Sequence, residues 1–225
     1  MNSVNRIRSF VRRQGRITPS QCRAFETYGE HYILNSQDGK LDVGDVFGRQ
    51  ADCIVEIGFG MGDTLLSQAR QQRDKNFIGI EVYRPGVGAL LANMVKQDVG
   101  NIRIYNEDAV EVLEHCIDDA CLAAVHIYFP DPWPKKRHQK RRLIQTEFLS
   151  LLQKKLKIGG VLHLATDWEH YAEQMLTTLN ATPGFKNGMA DGGFSPRPET
   201  RPLTKFERRG IKLGHSVWDL LFIKS

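Results

Sequence analysis

The chain has 225 residues, 41% of them hydrophobic, with a net charge of +5 and a pI near 9.0. Those values suit one α/β domain with an ordinary core and lean toward anionic partners. No apolar run approaches the roughly 18–20 residues of a membrane span. The four cysteines form no CxxC pair and the seven histidines have no metal-ligand spacing, which disfavours a disulfide scaffold and a metal centre. The expected setting is cytoplasmic with reduced thiols, and monomer and homodimer are equally open.

Arg6, Arg8, Arg12, Arg13, Arg16 and Arg23 precede the first acid of the chain. A phosphate-contacting arm, a transit peptide and a disordered tail all fit that composition. The predicted division is a partly disordered basic arm over 1–35 and a single domain over 36–225. Within the domain, strands are predicted at Cys53–Ile57, Asn76–Val82, Asn101–Tyr105, Leu122–Phe129, Val161–Ala165 and Val217–Ile223. Helices are predicted at Asp63–Gln72, Pro85–Gln97, Ala109–Ile117, Leu143–Leu156 and Trp168–Leu179, with Pro85 in a first turn and Asp108 as a cap. Gly159-Gly160 breaks the pattern, and Pro183–Pro202 reads as a long loop of the kind that often binds. This alternation predicts βαβ units and a mostly parallel sheet.

Glu56-Ile57-Gly58-Phe59-Gly60-Met61-Gly62 joins the first strand to a helix. Gly58 and Gly60 let backbone approach a ligand closely. The G-x-G-x-G spacing and the acid Glu56 argue against a pyrophosphate and for a cationic cofactor such as S-adenosylmethionine. Glu81 ends the second strand, where a carboxylate can accept from ribose hydroxyls. Asp108 follows the third and is placed to reach an adenine edge. Any one of these acids reads equally well as a cap or a solvated charge; their shared edge of the sheet is the stronger signal.

After the fourth strand comes Phe129-Pro130-Asp131-Pro132-Trp133-Pro134, then Lys135, Lys136, Arg137, His138, Gln139, Lys140, Arg141 and Arg142. Methyl transfer to a ring nitrogen such as guanine N7 needs no general base, because the lone pair is already free. Asp131 would instead stabilise the cation that develops on the base. Trp133 or Phe129 could stack on the base, or simply brace the loop. The basic run suits phosphates, which set position rather than sequence choice. Asp167 ends the fifth strand as a base-edge contact or a helix cap. Thr204-Lys205-Phe206-Glu207 has the spacing of a helix start.

EIGFGMG, GIEVYRPGVGALL, NEDAVEVL, FPDPWPKKRHQKRR, ATDW and TKFERRGIKLGHSVWDLLF, in this order, resemble the bacterial tRNA (guanine-N7-)-methyltransferases. The likeness spans nearly the whole chain, including RSFVRRQGRITPSQ, which argues against a cleaved transit peptide. Only Tyr83 departs, at a place where histidine is expected. The resemblance implies a class I, Rossmann-like S-adenosylmethionine-dependent fold with a mostly parallel seven-stranded sheet and helices on both faces. It implies methyl transfer from S-adenosylmethionine to guanine N7 in the variable loop of tRNA, without a metal or a membrane. It carries cofactor contacts to Glu56, Glu81, Asp108 and Asp131, with Asp131 also catalytic. It carries substrate contacts to Lys135, Asp167, Thr204, Lys205, Phe206 and Glu207, and RNA contact to Arg137–Arg142. An exocyclic-amine methyltransferase, a nicotinamide oxidoreductase and an RNA-binding module on a vestigial fold are the alternatives.

Overall fold

The computed structural model describes residues 9–10, 15–204, 207, 214 and 216–225. In chain order the elements are α1 (Pro19–Tyr32), β1 (Ile33–Leu34), a 3-10 turn (Ser36–Asp38), α2 (Val43–Phe47), β2 (Cys53–Ile57), α3 (Asp63–Gln71), β3 (Asn76–Ile80), α4 (Arg84–Lys96) and β4 (Ile102–Tyr105). They continue with α5 (Ala109–His115), β5 (Leu122–Tyr128), a 3-10 turn (Lys136–Arg141), α6 (Thr146–Lys155), β6 (Leu156–Thr166), α7 (Glu169–Asn180), β7 (Phe185–Asn187) and β8 (Trp218–Lys224). One sheet holds all the strands in the order β1-β4-β3-β2-β5-β6-β8-β7. Pairing is parallel except that β8 runs antiparallel to both β6 and β7.

The chain steps outward from β2 through β3 to β4, then returns to place β5 on the other side of β2. Such a reversal leaves a crevice at the carboxyl ends of the two central strands, where ligands bind in open α/β sheets. Helices cover both faces. Val55 and Ile57 of β2 pack in the core shared with α5, α6 and α7, while Ile54 packs in the core shared with α1, α3 and α4. Both faces being covered, β2 and β3 are buried along their whole length, which is why they read as continuous rather than alternating apolar runs.

The structure departs from the predicted elements in four places. First, the stretch read as an arm contains α1. Thr18 and Gln21 form a reciprocal capping box and Pro19 opens the first turn. α1 docks on α4 where Gly88 leaves room: a Cβ there would lie 2.8 Å from Gln21 Cβ. Gln21 also donates to the Pro85 carbonyl, and the Arg84 guanidinium lies over the Phe25 ring.

Second, two-residue β1 pairs with β4 and makes an eighth strand where seven were expected. Third, α6 starts at Thr146 rather than Leu143, and its strand begins at Leu156, before the glycine pair. Leu122 pairs with Leu156 but Ala124 pairs with Val161, so residues 157–160 bulge out around Gly159, whose φ is 76°. Fourth, β7 lies inside the expected 183–202 loop.

Candidate active site

The turn after β2 is shaped by three glycines with positive φ: 75° at Gly58, 58° at Gly60 and 82° at Gly62. L side chains rarely adopt that region. The turn is also pinned from outside. A Cβ on Gly86, in the first turn of α4, would fall 1.9 Å from the Gly60 carbonyl oxygen, so the two backbones touch directly.

Glu81 holds the same turn from the next strand. Its Oε2 accepts from Gly60 N at 2.8 Å and its Oε1 accepts from Tyr83 N at 2.9 Å. Burial raises its pKa against those backbone donors, and the nearby Asp131 adds to the rise. Asp108 caps α5, accepting from Val110 N at 2.8 Å, so here the cap reading and the cavity position hold together.

Gly58, Glu81, Asp108 and Asp131 line one cavity of about 210 Å³, with Ile80, Val82, Tyr128 and Phe129 also on its wall. Glu56 lies beneath that wall, 2% exposed. Its Oε2 is buried and has no hydrogen-bond partner among the described residues. Burial, and then the neighbouring Glu81, push its pKa up to about 8. A buried carboxyl with one unpartnered oxygen, next to a cavity lined by further carboxylates, fits a cationic ligand, whose charge would favour the ionised form.

Asp131 is exposed at the mouth of the cavity. The loop that presents it is stiff. Phe129 and Trp133 both have positive φ, at 53° and 43°, and three prolines fix the residues between and after them. Strained backbone of this kind persists only where the surroundings impose it and clusters at functional sites.

Trp133 braces the structure. Its Nε1 donates to the Ser9 carbonyl at 3.0 Å. Arg141 lies over the Trp133 ring, 4.2 Å from its centroid, and donates to the Phe10 carbonyl at 3.3 Å. Ser9 and Phe10 line the same cavity as the carboxylates. The loop and the basic run therefore hold Ser9 and Phe10 at the pocket, contacts that no local sequence signal carried.

The predicted basic residues divide. Lys135, Lys136, Arg137 and Lys140 are exposed, and His138, Gln139 and Arg141 are half-buried. Desolvation and then the adjoining cations, Arg137 first, hold the pKa of His138 below its ordinary value. Arg142 is 2% exposed and lies over the Tyr171 ring. It donates to the Pro132 carbonyl and to Gln174 Oε1, while its buried Nη2 has no partner among the described residues. Asp167 is half-buried just past β6, and the cap of α7 is Trp168, not Asp167.

Thr204 and Glu207 form a second reciprocal box. Glu207 Oε2 accepts from Thr204 N and Thr204 Oγ1 accepts from Glu207 N, each at 3.0 Å. Lys205 and Phe206, predicted as substrate contacts, lie outside the described residues. Among the described residues no group of three or more His, Cys, Asp or Glu is placed to hold a metal ion. No described helix is long and apolar enough to cross a membrane.

Strand order, glycine turn and strand-end carboxylates together define a class I methyltransferase fold. Solved structures with this fold include an rRNA methylase from Streptococcus thermophilus, at a TM-score of 0.53 and 12% identity, covering 77% of this chain and 87% of that one. An S-adenosylmethionine-dependent O-methyltransferase from Thermotoga maritima gives a TM-score of 0.52 at 16% identity, covering 92% and 71%. A family model described as "Putative methyltransferase" matches residues 50–220. Curated tRNA (guanine-N(7)-)-methyltransferases of Shewanella oneidensis and Pseudoalteromonas atlantica are each 54% identical over 219 residues, 97% of this chain and 92% of theirs. The chain belongs to the tRNA (guanine-N(7)-)-methyltransferase family.

Proposed function

We propose that the protein transfers a methyl group from S-adenosylmethionine to N7 of the guanine at position 46, in the variable loop of tRNA. The observation that carries this reading is the exposure of Asp131 at the mouth of a carboxylate-lined cavity, with a basic run beginning four residues later. The names of the relatives support the acceptor.

S-adenosylmethionine, when bound, supplies an electrophilic methyl group on a sulfonium. Glu56, Glu81, Asp108 and the backbone of Gly58 and Gly60 would hold it. The acceptor N7 brings its own lone pair, so no residue has to remove a proton before attack. Positive charge moves onto the base as transfer proceeds, and the Asp131 carboxylate stabilises it there. Lys135, Asp167, Thr204, Lys205 and Phe206 contact the substrate, with Glu207 acting through Thr204, and Arg137–Arg142 form the side that meets the RNA. Residues ahead of α1 act as a basic arm and the remainder as one domain. The reading carries with it a cytoplasmic enzyme, monomeric or homodimeric, that needs no metal ion.

The test is transfer of labelled methyl to an unmodified tRNA transcript, followed by chemical cleavage specific for 7-methylguanosine. Label should appear at one guanine of the variable loop, and Asp131→Asn should lower kcat by about 100- to 1000-fold. Label on any other atom, or an Asp131→Asn variant with wild-type turnover, would overturn the reading.

A further inference from the structure

Arg201 is among the largest fully buried side chains among the described residues, at 1% exposure. A buried guanidinium must find acceptors for its donors. Nε and Nη2 donate to the two oxygens of Asp219 at 2.7 and 2.8 Å, a bidentate fork, and Nη1 donates to Glu207 Oε1 at 2.7 Å. Asp219 is further held by His163 Nε2 at 2.7 Å, and His163 Nδ1 meets the Tyr128 hydroxyl at 2.9 Å. The backbone around Arg201 is clamped as well: Gln68 of α3 donates to the Thr200 carbonyl, and Arg197 donates to the Arg201 carbonyl.

This arrangement changes what Glu207 can do. One oxygen is taken by Arg201 and the other by Thr204 N, and the residue is 2% exposed. Its carboxylate therefore serves the protein, and its effect on substrate passes through Thr204. The Arg201 guanidinium also lies 5.7 Å from the Tyr128 ring centroid and 5.8 Å from that of Phe129. Phe129 stands two residues ahead of Asp131. One side chain thus touches Glu207, β8 and the root of the Asp131 loop.

We propose that Arg201 is a positioning residue for methyl transfer: it fixes Glu207, and through it Thr204, against β8 and against Phe129 just past β5, and so sets where the acceptor base lies relative to Asp131. The proposal rests on the function proposed above. Lysine keeps the charge but replaces a planar fork with a point charge, so it cannot hold both carboxylates in the same geometry.

The experiment compares wild type, Arg201→Lys, Glu207→Gln and the double variant. Thermal melts are recorded, and kcat and KM are measured separately for tRNA and for S-adenosylmethionine. Misplacing the base should lower kcat in Arg201→Lys by about 100-fold, with the KM for S-adenosylmethionine unchanged. The double variant should be no worse than the worse single one, because the two residues act as a unit. A folded Arg201→Lys with a lower melting temperature but wild-type kcat and tRNA KM would reduce Arg201 to a structural residue and end the proposal. Should Arg201→Lys fail to fold, Glu207→Gln decides on the same two parameters, wild-type values again overturning it. A wild-type protein that methylates no tRNA would instead sink the function reading, independently of any variant.

Discussion

Glu56→Gln should make the unliganded protein more stable at alkaline pH while weakening its hold on cofactor. In the folded protein the Glu56 pKa is raised from 4.5 to about 8, by burial first and by Glu81 second. Between those values the folded state keeps a proton that the unfolded chain has released. Stability from this group is therefore present below pH 4.5, falls as pH rises, and stops falling above about 8. The gap is worth several kcal/mol, of which an unsatisfied buried amide in the variant would return about 1–3 kcal/mol. At a chain length of this order each kcal/mol moves the melting temperature by about 2–4 °C. Melts of both proteins at pH 5 and pH 8.5, without ligand, measure the effect. Calorimetry of S-adenosylmethionine binding measures the other side: wild-type affinity should rise about 50-fold from pH 6 to pH 8 as Glu56 ionises more readily, and the variant should lose that rise. A stability difference that stays constant from pH 5 to 8.5, or identical pH profiles of binding, would refute the reasoning.

Trp133→Ala should release Ser9 and Phe10 and raise the dissociation constant for S-adenosylmethionine, whereas Trp133→Phe loses one hydrogen bond worth about 1 kcal/mol; equal affinity in all three proteins, read by calorimetry, would remove these contacts from cofactor binding. Gly86→Ala should drive a methyl group into the Gly60 carbonyl and lower cofactor affinity more than it lowers global stability, a comparison of calorimetry with thermal melts that fails if both are untouched. Lys136→Ala and Lys140→Ala should each flatten the log–log salt dependence of tRNA binding by about 1, in filter-binding titrations over a range of salt. An unchanged slope would take these lysines off the RNA.

The central frame was legible because β2, β3 and β5 are buried on both faces and so stand out as apolar runs between helical periods. The carboxylates at their ends followed from that frame, since the end of a parallel strand is a defined place. α1 was missed because its apolar stripe is thin, with Ala24 its one buried residue, and basic residues dominate its surroundings. The partners of Trp133 and Arg201 were illegible for another reason. Trp133 meets Ser9 across 124 positions of sequence and Arg201 meets Asp219 across 18, and each side chain, read locally, is one more loop aromatic or one more surface cation. The burial of Arg142 was illegible in the same way: it sits in a run of cations, yet its partners Pro132 and Gln174 draw it inside. The Thr204–Glu207 spacing did announce a cap, and the structure adds that the cap consumes the carboxylate.

β8 is the last strand in chain order, yet it lies between β6 and β7. On the ribosome, every other strand of the sheet exists before residues 218–224 do. Until they emerge, β6 and β7 carry bare edges, which tend to recruit strands from other chains. Asp219 arrives with β8, so Arg201 has no fork to enter before then. The strand that closes the sheet is thus also the strand that completes the Arg201 fork, so synthesis finishes the two together.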